Sequence, residues 1–272
     1  MAERVRVTLN TASFACPLDE VARVAKAHGF DGIELWARDI EPPLSAQYVG
    51  ELMRSHGLGV SAFQVLRDFE GNETSGLHAR LAQAEALMHA MATIGADTLL
   101  VCANTDSHSS GDRKTQAADL RALADMAAAR QLRIAFEPLA WSRWLNRYED
   151  AWACVEQINH PALGLTVDSF HWFWSGTPVA FARQIAAHRC FIVQLSDARP
   201  EGRAAIEVAR HDRLFPGEGV WLVDDLARTF HAAGFDGFYN LEVFNDSYRT
   251  LAPDDFAARA ARSFHQIFED QI

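Results

Sequence analysis

The feature that most constrains the fold is the regular alternation of short apolar segments with helical segments along the 272 residues. The apolar segments are rich in Val, Ile, Leu and Phe, which is typical of strands buried on both faces. The segments between them are rich in Ala, Leu and Glu. Alternating strands and helices predict parallel pairing through right-handed crossovers. The eight predicted strands are "VRVTL" from Val5, "GIELW" from Gly32, "GVSAFQ" from Gly59, "TLLVCA" from Thr98, "RIAFE" from Arg133, "LGLTVD" from Leu163, "CFIVQL" from Cys190 and "FYNLEVF" from Phe238.

Eight strand–helix units in a chain of this length match the number and size of a closed (β/α)8 TIM barrel, in the α/β class. Two turns support a repeated unit: "GFDGIELW" from Gly29 and "GFDGFYNLEVF" from Gly234 each lead from a helix into a strand, and both glycines suit a left-handed C-cap. An open doubly wound sheet is the alternative, but no glycine-rich phosphate motif follows an early strand. We predict a single TIM-barrel domain over residues 1–272.

Composition excludes several classes of function. The formal net charge of −11 argues against nucleic acid as a partner, because phosphate backbones are bound by clustered Lys and Arg. No apolar stretch is long enough to span a bilayer or to act as a signal core. The four cysteines form no CxxC pair, which is typical of a reducing compartment, so we expect a cytoplasmic protein without membrane partners. The oligomeric state stays open, a homo-oligomer included.

Polar residues end four consecutive predicted strands, the fifth to the eighth: Glu137, Asp168, Gln194 and Glu242. In a barrel, the carboxyl ends of the strands converge on the active site. Three carboxylates brought together without a cation would repel one another. An all-oxygen set suits a hard divalent ion such as Mg²⁺, Mn²⁺ or a similar metal, and Co²⁺ or Zn²⁺ could also bind. Any one of these residues alone could instead pair with an arginine or cap a helix.

Further candidates lie near the same rim. His171 follows Asp168 within "LTVDSFHW" and is a candidate for proton transfer, with a packed core ring as the alternative. Glu34 faces the interior of the barrel by parity and is a weaker candidate for substrate contact. Arg67, just past the third strand in "FQVLRDFEG", could hold a substrate carboxylate.

The loop "ARHDRLFPGEG" after the seventh strand contains a second cluster of charge, with Arg210, His211 and Arg213. A loop at that position in a barrel often binds an anion, so we include Arg210 and His211 among the candidate substrate contacts. For both arginine clusters, a solvated salt bridge is an equally good interpretation from composition.

With these residues in place, the chain resembles the xylose-isomerase-like TIM barrel superfamily over essentially its whole length. The motifs "FQVLRDFEG", "LTVDSFHW", "FIVQLSDA", "RLFPGEG" and "NLEVFND" are most similar to those of the 3-dehydroshikimate dehydratases within it. The third ligand position, His in many epimerases of the superfamily, is Gln194 here. One departure is Trp144, in the segment after Glu137, where the pattern often has a histidine.

The resemblance implies a lyase that converts 3-dehydroshikimate to protocatechuate with a divalent metal, through an enolate and loss of the β-hydroxyl. It implies Glu137, Asp168, Gln194 and Glu242 as ligands, His171 as a catalytic residue and Arg67 as a substrate contact. Proton abstraction falls to a metal-bound carboxylate, Glu137 or Glu242, or to His171, which could alternatively protonate the leaving hydroxyl. The expected partner is therefore a small carboxylated cyclic polyol-ketone.

Two other functions use the same fold. A sugar or inositol-type isomerase or epimerase, or an inosose dehydratase, would use the same metal and two glutamates, because these reactions also begin beside a carbonyl. An anion-binding arginine favours the carboxylated ring, whereas a hydroxyl-lined pocket favours the polyol. A non-catalytic metabolite-binding barrel would have lost a ligand, yet all four are present. A nuclease role would require more histidines and a basic face.

Overall fold

The computed structural model describes residues 4–73 and 76–269, and they form a closed barrel of eight parallel strands in the order β1 to β8. The strands are β1 Arg6–Asn10, β2 Gly32–Trp36, β3 Gly59–Leu66, β4 Thr98–Cys102, β5 Arg133–Glu137, β6 Leu163–Asp168, β7 Cys190–Leu195 and β8 Phe238–Leu241. The helices are α1 Leu18–Ala27, α2 Ala46–His56, α3 Leu77–Ile94, α4 Arg113–Ala128, α5 Tyr148–Ile158, α6 Ser169–Trp174, α7 Ala205–His211, α8 Val223–Ala232 and α9 Pro253–Phe268. The predicted (β/α)8 barrel is therefore confirmed.

The strand register sets which polar residues lie at one level of the rim. β6 and β7 pair Asp168 with Gln194, and β4 and β5 pair Cys102 with Glu137. β1 pairs with β8 up to Leu9 and Leu241, which closes the barrel. All strands run in one direction, so their carboxyl ends gather at one rim.

The main hydrophobic core lies between the strands and the surrounding helices. Leu9 of β1, Ile33 of β2 and Phe136 of β5 belong to this cluster together with buried residues of every long helix. Alternate residues point into the barrel, because strand side chains alternate between faces. The interior accordingly holds short apolar side chains such as Ala62 and Ala135 with buried polar ones at the carboxyl end.

Local sequence accounts for the turns between these layers. Gly29 and Gly234, which follow α1 and α8, have φ of 80° and 86°, as predicted for left-handed turns. Gly32, in the same repeated motif, lies against the next strand, where an added Cβ would come within 2.4 Å of the Gly59 carbonyl oxygen. The Asp112 side chain begins α4 by accepting hydrogen bonds from the Lys114 and Thr115 amides.

Four strands end one to three residues from the expected positions, whereas β7 ends at Leu195 as predicted. β1 ends at Asn10 instead of Leu9, β3 continues beyond Gln64 to Leu66, β4 ends one residue before Ala103, and β8 ends three residues before Phe244. β8 ends at Leu241, so Glu242 is the first residue after it. Within the described part of the chain, none of the helices combines the length and apolarity needed to cross a membrane.

Candidate active site

The floor of the candidate site is a set of buried polar side chains at the carboxyl ends of the last four strands. Glu137, Asp168, Gln194 and Glu242 are each at most 4% exposed. Glu137 accepts a hydrogen bond from the Cys102 thiol at 3.2 Å, which ties β5 to the end of β4. The structure thus brings together all four residues that the strand-end pattern singled out.

Asp168 has two structural partners besides its place at the strand end. Its Oδ1 accepts a hydrogen bond of 2.8 Å from the Phe170 amide, so the same side chain caps α6. The Tyr148 hydroxyl contacts its backbone amide at 2.7 Å. The aspartate is therefore held in a single orientation, with Oδ2 directed at its ionic partner.

That partner is Arg213, which strand-end reasoning left out of the site. Its Nη1 lies 2.8 Å from Asp168 Oδ2 and 3.2 Å from Glu242 Oε2, and its guanidinium carbon lies 4.7 Å from the centre of the Phe170 ring. Arg213 is 2% exposed, so one buried cation neutralises part of the charge of the floor. The sequence signal was present in "ARHDRLFPGEG", but only the folded loop distinguishes it from its neighbours.

One guanidinium does not balance this floor. Burial, followed by repulsion from Asp168 and Glu242, raises the pKa of Glu137 well above its usual range. Burial raises the pKa of Glu242 to about 7, although Arg213 acts in the opposite direction. A divalent cation would remove this conflict, and its donors would be carboxylate and amide oxygens.

Two observations favour a divalent metal at this floor. One oxygen of Glu137 and one of Asp168 lie within 4.8 Å of each other. Gln194 Oε1 is buried and has no hydrogen-bond partner among the residues the structure describes. A buried carbonyl oxygen without a partner costs free energy unless something else binds it, so the donor set fits a hard cation.

Glu34 lies deeper than its predicted position as a substrate contact. It is fully buried and is absent from the lining of the cavity above the floor. Its Oε1 accepts hydrogen bonds from the side-chain amides of Asn10, Gln64 and Gln194. Burial and repulsion from Glu242 raise its pKa well above the usual range.

His171 lies beside the floor with its ring held on several sides. Its Nδ1 accepts the Ala140 backbone amide at 3.0 Å, so in the neutral ring the proton sits on Nε2. That Nε2 lies 3.7 Å from Asp168 Oδ2 and 3.9 Å from Glu137 Oε1. Burial lowers the pKa of His171 to about 3, partly offset by Asp168. The neutral ring therefore presents an N–H donor, not a lone pair, toward Asp168 and Glu137.

A cavity of about 120 Å³ opens above the floor. Glu137, Glu242 and His171 line its base, and Arg67 and Arg210 line its mouth. Both arginines are exposed, and neither makes a hydrogen bond or an ion pair with another residue that the structure describes. The two guanidinium groups are thus free to bind an anion over an acidic base. The lining residues are Trp36, Gln64, Arg67, Cys102, Glu137, Leu139, Trp141, His171, Ala209, Arg210, Arg213, Glu242 and Phe244.

Two residues discussed from sequence lie elsewhere. His211 is absent from the cavity lining, and its Nδ1 contacts Asp246 at 3.0 Å on the surface, because α7 turns successive side chains to different faces. Trp144 is 42% exposed and donates to the Ser109 carbonyl, whereas Trp141 lines the cavity and packs edge-on against the His171 ring. The tryptophan that borders the site is thus not the one that the motif comparison indicated.

Two larger hollows lie away from this rim. One, of about 500 Å³, is near the amino-terminal ends of β1 and β8 beside Arg6, and the other, of about 570 Å³, lies beside α8. Neither is lined by a group of converging carboxylates. The chemistry of the carboxyl-terminal rim, rather than the size of the hollow, identifies the candidate site.

Known proteins with similar sequences include enzymes of two kinds. Over 96% of its length, the chain is 36% identical to a 3-dehydroshikimate dehydratase of Pseudomonas putida, and it spans 41% of that protein. It is 23% identical to an inosose isomerase of Bacillus velezensis, over 88% of this chain and 87% of the relative. The chain thus spans less than half the length of the more similar of these two relatives.

Solved structures give the same fold. A fusion protein of a xylose isomerase-like TIM barrel with a 4-hydroxyphenylpyruvate dioxygenase matches with a TM-score of 0.94 and 34% identity, over 98% of this chain and 43% of that one. The IolI protein with a bound zinc atom matches with a TM-score of 0.88 and 21% identity, over 98% of this chain and 99% of that one. The model of the xylose isomerase-like TIM barrel family matches residues 22–267. The chain belongs to the xylose isomerase-like TIM barrel family.

Proposed function

We propose that the protein is a divalent-metal-dependent lyase that dehydrates 3-dehydroshikimate to protocatechuate. The observation that carries the proposal is the pair of unpaired arginines, Arg67 and Arg210, at the mouth of a cavity with an acidic base. A guanidinium pair suits a ligand with a carboxylate on its ring. The relative from P. putida, which bears this activity in its name, adds independent support.

Glu137, Asp168, Gln194 and Glu242 would hold the metal, with Mg²⁺, Mn²⁺ or Co²⁺ as the expected ions and Zn²⁺ as a further one. When bound, the metal supplies Lewis-acid polarisation of the substrate's ketone. The unpartnered Gln194 Oε1 and the raised pKa of Glu137 support this assignment. Arg213 would keep its ion pairs with Asp168 and Glu242 and so reduce the net negative charge of the occupied site.

The positions of the side chains assign substrate binding and proton abstraction to different residues. Arg67 and Arg210 bind the carboxylate and orient the ring. Glu137 and Glu242 line the cavity, whereas Asp168 and Gln194 do not, so Glu137 and Glu242 are the carboxylates that can reach a proton beside the ketone. Loss of that proton and of the β-hydroxyl, which leaves as water, gives a ring that tautomerises to the aromatic product.

His171 acts as a hydrogen-bond donor toward the leaving hydroxyl. The Ala140 amide keeps the ring proton on Nε2, the nitrogen that faces the cavity side. A base role would require a free lone pair on Nε2 and would bring two N–H groups face to face at Nδ1. The geometry therefore favours the acid side of the two roles that the sequence left open.

The second candidate is an inosose isomerase or a related epimerase. It shares the metal set and the two glutamates, and the relative from B. velezensis bears that name at 23% identity. A polyol carries no anion, so that function leaves Arg67 and Arg210 without a ligand. The four cysteines are free thiols, which supports the expected cytoplasmic location under either function.

Steady-state kinetics of the arginine variants test the proposal. With Mn²⁺, Arg67→Gln and Arg210→Gln should each raise KM for 3-dehydroshikimate about tenfold or more, since a charge-assisted hydrogen bond contributes roughly 1.5–3 kcal/mol. The matched control is Arg143→Gln, an exposed arginine outside the cavity lining, which should leave KM unchanged. Turnover of an inosose but not of 3-dehydroshikimate by the wild-type protein would contradict the proposal.

A further inference from the structure

Below the floor, three side-chain amides donate hydrogen bonds to Glu34. None of these amides has a role in the proposed proton transfers. The Oε1 atom of this glutamate accepts from Gln194 Nε2 at 2.7 Å and from Asn10 Nδ2 at 3.3 Å, and it also accepts from Gln64 Nε2. Each of the three nitrogens also contacts Glu242 Oε1, at 2.8 Å from Asn10 and 3.3 Å from both glutamines. The amides thus bridge a carboxyl outside the proposed metal site and one within it.

These contacts decide which way the Gln194 amide points. The Asn10 amide oxygen accepts from the Trp36 indole, so its nitrogen faces Glu34 and makes Oε1 an acceptor, whether or not Oε2 carries a proton. The atom of Gln194 that faces Oε1 must then be the nitrogen. The amide oxygen then lies on the opposite branch, where it is buried without a partner among residues 4–73 and 76–269. A rotation that exchanged oxygen and nitrogen would place two oxygens against each other and an N–H group toward the metal.

We propose that Glu34 is a positioning residue that orients Gln194 so that its amide oxygen, and not its nitrogen, is presented to the divalent metal. This inference rests on the proposed metal site. It replaces the earlier expectation of a substrate contact, because Glu34 is fully buried and does not line the cavity. It also gives a reason for a buried carboxyl whose Oε2 has no partner in the described chain.

Calorimetric titration of the metal-free protein with Mn²⁺, in the absence of substrate, tests the inference. Groups that orient a metal ligand typically change metal affinity 10–100-fold when replaced, so Glu34→Leu, which removes the acceptor, should raise the dissociation constant at least tenfold. Glu70→Leu is a matched control, because Glu70 is also buried, also leaves Oε2 without a described partner, and contacts Asn104 instead of the site. Its dissociation constant should equal that of the wild type.

A double variant separates orientation of Gln194 from general support of the fold. Glu34→Leu is combined with Gln194→Glu, because a glutamate at position 194 presents an oxygen in either orientation and needs no acceptor at position 34. Its dissociation constant should be at least tenfold smaller than the product of the two single effects predicts. Effects that simply multiply would show that Glu34 acts independently of Gln194 and would overturn the proposal.

The remaining outcomes separate a failure of the proposed metal site from a failure of the proposed role of Glu34. A wild-type protein that binds no Mn²⁺ would overturn the metal site and this inference with it. A wild type that binds Mn²⁺ while Glu34→Leu binds it equally well would overturn this inference alone. If circular dichroism shows Glu34→Leu unfolded, Glu34→Asp takes its place, because it keeps the charge and withdraws the acceptor by one methylene. It should weaken Mn²⁺ binding, and unchanged affinity would overturn the inference.

Discussion

Replacement of Glu70 by glutamine should stabilise the protein at neutral pH. Glu70 lies in the segment after β3, is 1% exposed, and accepts the Asn104 amide at 2.7 Å through Oε1. Burial raises its pKa from 4.5 to about 8, despite the opposing hydrogen bond from Asn104. Between these values, the native carboxyl keeps a proton that the unfolded chain has lost.

The sign and size of the effect follow from this difference. Because the native state binds more protons, the stability from Glu70 is complete below pH 4.5 and is lost as the pH rises toward 8. From pH 4.5 to 7 the loss is about 3 kcal/mol, at about 1.4 kcal/mol for each pH unit. A glutamine in place of Glu70 still accepts the hydrogen bond from Asn104, and it does not titrate. Like the protonated carboxyl group of Glu70, it has one donor without a partner.

Urea unfolding of the metal-free protein, followed by circular dichroism from pH 4.5 to 8, measures this difference. The variant and wild type should have similar free energies of unfolding near pH 4.5, and the variant should be more stable by about 3 kcal/mol at pH 7. Glu156→Gln, on the exposed side of α5, is the control and should follow the wild-type curve at every pH. Parallel curves for Glu70→Gln and wild type would refute the reasoning.

Four further substitutions test the floor of the site. Glu137→Gln or Glu242→Gln should abolish turnover and weaken Mn²⁺ binding at least tenfold in calorimetry, and full turnover by either would exclude the proposed ligand set. Arg213→Gln leaves Asp168 and Glu242 without their buried cation, so the free energy of unfolding of the metal-free protein in urea should fall by about 3–5 kcal/mol. An unchanged unfolding midpoint would show that these ion pairs contribute nothing to stability. His171→Asn should lower kcat about 10²–10⁴-fold with metal affinity retained, and a matching loss of affinity would instead identify His171 as a ligand.

The barrel followed from sequence because its cause is local and repeated. Eight apolar segments, each continued by a helix and a turn such as the one at Gly29, permit few other topologies. The floor followed for the same reason, since residues at strand ends such as Asp168 and Gln194 are brought together by the parallel register. Strand boundaries were less well determined, and β8 ends one residue before Glu242.

The parts that sequence did not place depend on long-range packing. Arg213 reaches Asp168, 45 residues earlier, only because the loop after α7 folds back over the rim. Its near neighbour His211 turns outward to Asp246, and nothing in their spacing distinguishes the two roles. The depth of Glu34 is likewise decided by three amides from other strands rather than by its parity in β2.

The most direct test of the central claim is the ultraviolet spectrum of metal-free protein mixed with 3-dehydroshikimate before and after addition of Mn²⁺. The account predicts that absorbance of an aromatic catechol appears only after the metal is added, and that Glu242→Gln produces none. Repetition with Mg²⁺ and Co²⁺ extends the test to the other expected ions. Absence of product with all three metals, with turnover of an inosose under the same conditions, would contradict the account.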